Sequence, residues 1–214
     1  AFKSTPDAAV LPRTTEEVAS VVRLCSEEKV PFVARGAGTG LSGGAIPSEG
    51  GVVLSLAGMN QFLELDLDNR VALCQTGIIN LEVSRAVAEH GLYFAPDPSS
   101  QSACTLGGNI AENSGGPHCF KYGATTVHIL GLTVVMPDGE IVNLGGPRYT
   151  VGYDLVGLFV GSEGTFGIAT EALVRLMPMP ETVKTFLAPF RSMEVACEAV
   201  SDIDVPTNQL KAIP

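Results

Sequence analysis

Pro31-Phe32-Val33-Ala34-Arg35-Gly36-Ala37-Gly38-Thr39-Gly40-Leu41-Ser42-Gly43-Gly44 is the stretch on which the fold turns. A short apolar run ends in five glycines within nine residues. Glycine reaches positive φ and lets a ligand approach the backbone, but it weakens any helix or strand that contains it. The density therefore predicts a loop whose N–H groups face outward, a concavity suited to anions and above all to phosphates.

Several readings of that loop compete. Gly38-x-Gly40-x-x-Gly43 matches the dinucleotide fingerprint, which requires a following helix. The next residues, Ala45-Ile46-Pro47-Ser48-Glu49-Gly50-Gly51, then apolar Val52-Val53-Leu54, do not read as one. A phosphate loop of the Gly-Lys-Ser/Thr type is excluded, because no lysine lies between Lys29 and Lys121. A loop between two strands that holds a diphosphate by backbone alone remains, beside a flexible loop without a ligand.

The rest of the chain narrows the classes. Its 214 residues fit one large domain or two small ones, and 45% hydrophobic content is ample for a core. A net charge of −10 argues against nucleic acid. No apolar run approaches the roughly 20 residues of a membrane span, and no signal peptide is visible. The chain opens on Ala1-Phe2-Lys3-Ser4 and stops soon after a new helix-like pattern, so it reads as a piece of a longer protein. Cys25, Cys74, Cys104, Cys119 and Cys197 form no CxxC pair and read as reduced thiols of a cytoplasmic protein. His90, His118 and His128 lack metal-ligand spacing, and His90 before Gly91 reads as a helix-end residue.

Taken in order, residues 9–11 predict a strand. Thr14-x-x-Glu17 is a capping box, followed by Val18, Val21, Val22 and Cys25 at helical spacing. Residues 31–34 and 51–56 predict strands on either side of the glycine loop. Alternation in 62–66 and 71–75 about Asp68-Asn69 predicts a hairpin. Asn80 is expected to cap a helix that runs to His90 and closes at Gly91. Residues 96–116 are small, hydroxylated and glycine-rich, with only Asp97 and Glu112 charged. Residues 127–136 and 140–144 predict a hairpin about Pro137-Asp138-Gly139. Asp154 caps a short helix over 155–160, the third glycine loop is Gly161-Ser162-Glu163-Gly164-Thr165-Phe166-Gly167, and a strand follows over 168–177. Residues 185–190 resemble another strand, and Ser192 caps an apolar-periodic segment. Boundaries near Gly58 and Pro180 give subdomains 1–58 and 59–180, with 181–214 beginning a second, truncated domain.

Four motifs in this order resemble the FAD-binding domain of the vanillyl-alcohol oxidase/p-cresol methylhydroxylase superfamily. They are residues 35–44, Pro98-Ser99-Ser100 with 105–116, Lys121-Tyr122-Gly123, and 161–167. Within it the FAD-linked glycolate oxidase subunit and the D-lactate dehydrogenases are most similar, over roughly residues 5–180. The resemblance implies an α+β fold of two subdomains with FAD between them and a cap domain that this chain barely enters. It implies that Arg35, Gly36, Ala37, Gly38, Thr39, Gly40, Leu41 and Ser42 form the diphosphate loop. Pro98, Ser99, Thr105, Gly107, Gly108, Asn109, Asn113 and Ser114 would line the diphosphate and flavin. Glu163, Gly164, Gly167 and Ile168 would lie along the adenosine end.

The function implied is the FAD-binding part of a flavoprotein that oxidises a small 2-hydroxy acid of the glycolate, D-lactate or D-2-hydroxyglutarate type. A partner subunit or separate electron acceptor is compatible with it. Some superfamily members tether FAD through a loop histidine or a cysteine before the second glycine loop. Leu41 and Ser42 stand at the first position, and Cys104 near the second; noncovalent FAD is expected. No catalytic residue is assigned, and Tyr122, Tyr153 and His128 are read as structural. A nicotinamide-binding domain and a non-catalytic nucleotide-binding module are the rival classes.

Overall fold

The computed structural model describes residues 4–47, 50–146, 152–185 and 187–204. In chain order the elements are β1 (Ala8–Val10), α1 (Thr15–Glu27), β2 (Phe32–Arg35), β3 (Val52–Ser55), β4 (Phe62–Asp66), β5 (Val71–Gln75), α2 (Asn80–Val87) and β6 (Leu92–Tyr93). There follow α3 (Leu106–Glu112), α4 (Cys119–Tyr122), α5 (Thr125–His128), β7 (Ile129–Val135), β8 (Ile141–Gly145), α6 (Leu155–Phe159), β9 (Ile168–Arg175), β10 (Met177–Pro178) and α7 (Met193–Asp204). The chain divides into two compact units, Ala1–Met179 and Pro180–Pro214.

The capping box at the start of α1 forms as expected. Glu17 N donates to Thr14 Oγ1 at 3.2 Å, and Glu17 Oε2 accepts from Arg13 N at 2.7 Å. Such caps contribute about 1 kcal/mol each. Val18, Ala19, Val22 and Cys25 fall on one buried face. That face meets Leu54, Leu56 and Met59 on one side and Val135 and Ile168 on the other. Helix α1 thereby joins two sheets. One is parallel, ordered β1-β3-β2; the other is antiparallel, ordered β4-β5-β9-β7-β8. Thr15 Oγ1 donates to Thr170 Oγ1 at 2.9 Å, and an Arg23 Nη donates to Gly139 O at 3.1 Å, tying the same layer to the larger sheet.

Parallel neighbours need a long crossover, usually helical. The β1-to-β2 crossover is α1. The β2-to-β3 crossover is the glycine loop, which leaves it at the C-terminal end of β2, where open parallel sheets present ligands.

The larger sheet carries the main core. Strand β5 is buried on both faces, while edge strand β8 alternates exposed and half-buried. Val83, Val87, Leu106, Ile110, Phe159 and Leu176 pack on it. Burying one such side chain stabilises by about 1.5–3 kcal/mol.

Four local expectations change. Asn80 is not a cap: its buried Nδ2 donates to Pro96 O at 2.9 Å, and the helix starts without a side-chain cap. Strand β7 starts two residues late, because Thr125–His128 form a helical turn anchored by Thr125 Oγ1 on Ser114 O. The second glycine stretch contains a helix, α3, capped by Thr105 Oγ1 on Gly108 N. Residues 187–190 form no strand, and Phe186 lies outside the described residues. Ser192 Oγ does accept from Val195 N at the start of α7.

Candidate functional site

Beyond β2 the backbone N–H groups from Gly36 to Ala45 donate to nothing among the described residues. Most of these residues are exposed, so their amides are left to solvent or to a ligand, and an anion with several acceptor oxygens can take up a row of them together. Gly38 and Gly43 hold φ of +70° and +83°, which turns successive amides to one side. The Arg35 guanidinium lies over Gly38; a Cβ there would come within 2.5 Å of an Nη. No helix follows: the described residues from 41 to 47 are turns and bends, which removes the nicotinamide-type fingerprint.

This loop forms one wall of a cleft of about 660 Å³, within the range of small-molecule and cofactor sites. Arg35, Gly36, Ala37, Gly38, Thr39 and Gly40 line it. So do Thr105, Gly107, Gly108, Asn109 and Ser114 from the α3 region. Glu163, Gly164, Gly167 and Ile168 complete it. Three stretches far apart in sequence thus meet around one space.

The α3 wall works differently from the loop. Its first amides are spent: Leu106 N donates to Ile78 O, Gly107 N to Thr76 O and Gly108 N to Thr105 Oγ1. Gly107 and Gly108 therefore offer room rather than donors. A Cβ at Gly107 would press on Thr76 at 3.1 Å, so glycine there lets α3 dock closely on the segment after β5. Asn109 is buried, and its Nδ2 has no partner among the described residues. An unmet buried donor costs about 1–3 kcal/mol. Cys104 is also buried beside it, and burial pushes its thiol pKa up.

The third wall is pinned to α3. Gly161 N donates to Ile110 O and Glu163 N to Ala111 O, at 2.8 and 2.9 Å. Glu163 itself sits at φ +53°, a left-handed conformation uncommon for a side-chain-bearing residue.

Five expected residues do not line the cleft. Leu41 is fully exposed and Ser42 exposed. Pro98 is buried in a turn closed by Gln101 N on Pro98 O, and Ser99 is exposed at its tip. Asn113 is the left-handed C-cap of α3, and its Oδ1 accepts from Thr126 N at 2.9 Å. Residues outside the expected contact set also line the space, chiefly Gly43, Gly44, Ser100, Cys104 and Glu112. Glu112 was visible in sequence as a charge in a neutral stretch. Its carboxylate lies against Gly40, 3.2 Å from where a Cβ would be. Among the described residues no cluster of metal-ligating side chains occurs, and no helix is long and apolar enough to cross a membrane.

The family described as "FAD binding domain" matches residues 6–145. The chain belongs to the FAD-binding domain family. It is 50% identical over 204 residues to the glycolate oxidase subunit GlcD of Bacillus subtilis, covering 94% of this chain and 43% of that protein. It is 42% identical over 196 residues to a D-lactate dehydrogenase of Archaeoglobus fulgidus, covering 91% and 44%. A D-2-hydroxyglutarate dehydrogenase of Stutzerimonas stutzeri is 38% identical over 181 residues, covering 84% and 39%. Among solved structures, an alkyldihydroxyacetonephosphate synthase superposes with TM-score 0.71 at 31% identity, covering 81% of this chain and 34% of that one. The chain thus spans less than half the length of these relatives. The cofactor of the family, FAD, fits the cleft: unspent amides with Arg35 suit its diphosphate, and the volume suits part of a dinucleotide.

Proposed function

We propose that this chain is the FAD-binding part of a flavoprotein that oxidises a small 2-hydroxy acid of the glycolate, D-lactate or D-2-hydroxyglutarate type. The observation that carries the reading is the row of unspent amides from Gly36 to Ala45 on the wall of the cleft. Residues 1–58 and 59–180 are the two halves of the binding part, and 181–214 begin the domain that would complete the substrate site.

FAD supplies the two-electron acceptor, and the protein supplies position and electrostatics. The loop amides and Arg35 hold the diphosphate without any lysine. Gly36, Gly38 and Gly40 keep the backbone bare enough for that approach. Ser100 and Ser114 offer hydroxyls at the α3 wall. Glu163 and Gly164 border the adenosine end, where a carboxylate suits ribose hydroxyls. The cofactor is held noncovalently: Leu41 and Ser42 offer no ring nitrogen, and Cys104 is a buried, protonated thiol. The relatives support the substrate class, and the word "subunit" in the GlcD name supports a partner chain or separate electron acceptor. Five free cysteines support a reducing, cytoplasmic setting.

The test is the visible spectrum of protein reconstituted with FAD and freed of excess cofactor. Retained flavin bands in one-to-one ratio are expected. Colourless protein after FAD soaking contradicts the reading and favours a non-catalytic module.

A further inference from the structure

A cleft that suits a diphosphate would be expected to carry basic side chains, and this one does not. Among its described lining residues Arg35 is the one cation, while Glu112 and Glu163 are both acidic. The side chains around the cleft are therefore net negative, and attraction for an anion comes from backbone amides and Arg35. Glu112 reaches the glycine loop itself: its Oε1 lies 3.2 Å from where a Cβ on Gly40 would stand. None of the ion pairs among the described residues includes Glu112. An acidic side chain without a cationic partner, set against the loop that binds the anion, opposes the binding that the loop promotes.

Arg35 and Glu112 mark two points of one loop. The guanidinium lies over Gly38 and the Glu112 carboxylate against Gly40. At a maximum of about 3.6 Å per residue, those two glycines lie within about 7 Å of each other. Negative charge is favoured at the first point and penalised at the second. The fold fixes the backbone that carries Glu112. It is the last residue of α3, and the next residue, Asn113, is the C-cap whose Oδ1 accepts from Thr126 N at 2.9 Å. On its other side Ala111 O accepts from Glu163 N at 2.9 Å. Like charges at such range repel even in water, and more strongly once a ligand has displaced the water between them.

The chemistry that distinguishes FAD from its abundant relatives is charge at the end of the diphosphate. Both phosphates of FAD are esterified, carry one charge each and run on into a neutral sugar or ribityl chain. ADP ends in a phosphate monoester, whose second ionisation near pH 6 adds a further charge, and ATP adds another phosphate. Both nucleotides contain the adenosine and diphosphate of FAD, so amides and adenosine contacts alone would admit them. We propose that Glu112 is a specificity residue of the cofactor cleft, which rejects adenine nucleotides that end in a phosphate and admits the diphosphate only as a diester. Selectivity of this kind is gained by a repulsive element rather than by a tighter contact, at some cost in affinity for the favoured ligand. This rests on the flavoprotein reading above.

The experiment uses the apo form of the full-length flavoprotein at pH 8 with chelator present, so that no metal masks the phosphates. FAD binding is followed by flavin fluorescence, and ADP and ATP are added as competitors. Glu112→Gln keeps the shape and removes the charge. It should tighten ATP by about fivefold or more, ADP by less and FAD least, in the order of ligand charge. Glu112→Ala should give the same order, which separates charge from any hydrogen bond that glutamine retains. In about 1 M salt, where the Debye length falls to about 3 Å, the gap between variant and unmodified protein should shrink. An equal change for all three ligands, an unchanged affinity for ATP, or weaker FAD binding in both variants overturns the assignment; the last would make Glu112 an attractive FAD contact. If the unmodified apoprotein takes up no FAD, the flavoprotein reading falls and this one with it, an outcome distinct from FAD that binds while ATP is indifferent to Glu112.

Discussion

Gly36 and Thr105 meet backbone to hydroxyl: any side-chain carbon at Gly36 would collide with Thr105 Oγ1. The same Oγ1 caps α3 by accepting from Gly108 N at 3.2 Å. One contact thus couples the glycine loop to the start of the helix that forms the opposite wall.

Gly36→Ala should therefore act on both walls. Its φ is ordinary for alanine, so the cost is steric. Displacing Thr105 forfeits the cap, worth about 1 kcal/mol, and overpacking adds about 1–3 kcal/mol. Thermal unfolding should show a clear drop in Tm, and FAD affinity should fall with it. Thr105→Ala in the same background should recover part of the lost stability by relieving the clash. If it does not, the coupling is misassigned.

His128 should make the fold sensitive to acid. It is buried, its Nε2–H donates to Tyr122 O at 2.9 Å, and Nδ1 has no partner among the described residues. Burial, aided by Arg175, lowers its pKa below the ordinary histidine value. The unfolded chain, with an imidazole near pH 6.5, then binds the proton more readily than the folded one. Stability is full above that value, falls as pH drops below it, and levels off once the folded pKa is passed. Urea unfolding between pH 7.5 and 5 should show this slope, and His128→Gln, which can still donate to Tyr122 O, should flatten it. An unchanged slope in the variant would exclude His128 as the cause.

The Cys104 thiol should stay free. It is buried and its pKa is raised by that burial, so little thiolate forms to attack a flavin carbon. Acid precipitation of the holoprotein should leave the yellow colour in solution, and Cys104→Ala should retain FAD. Flavin mass on a Cys104 peptide would reverse this.

Much of the architecture was legible because local signals agreed with the tertiary result. Thr14 and Glu17 marked α1, alternation marked β4 and β5, and Pro137-Asp138-Gly139 marked the β7–β8 turn. The glycine loop was legible for the same reason: nothing but a bare backbone suits five glycines between two strands. Helix α3 was not, since Gly107 and Gly108 oppose a helix locally. Gly107 fits there because a Cβ would press on Thr76 at 3.1 Å, a contact between residues 31 positions apart. Asn80 looked like a cap until Pro96 O claimed its side chain. The pairing of His118 Nδ1 with Asp97 Oδ2 follows from two loops meeting at Gly116, and no spacing in the sequence announces it.

The account stands on the glycine loop as the seat of the FAD diphosphate, and one titration tests it. Apoprotein and its Gly38→Val variant are titrated with FAD while flavin fluorescence and the visible spectrum are followed. Gly38 holds φ +70° beneath Arg35. A β-branched residue there resists that φ and crowds the guanidinium and the approaching phosphates. The expected result is saturable one-to-one binding by the unmodified protein. The variant should bind at least tenfold more weakly, equivalent to about 1.4 kcal/mol, with unchanged circular dichroism. Equal affinity in the two proteins, or no binding by the unmodified one, would contradict the assignment.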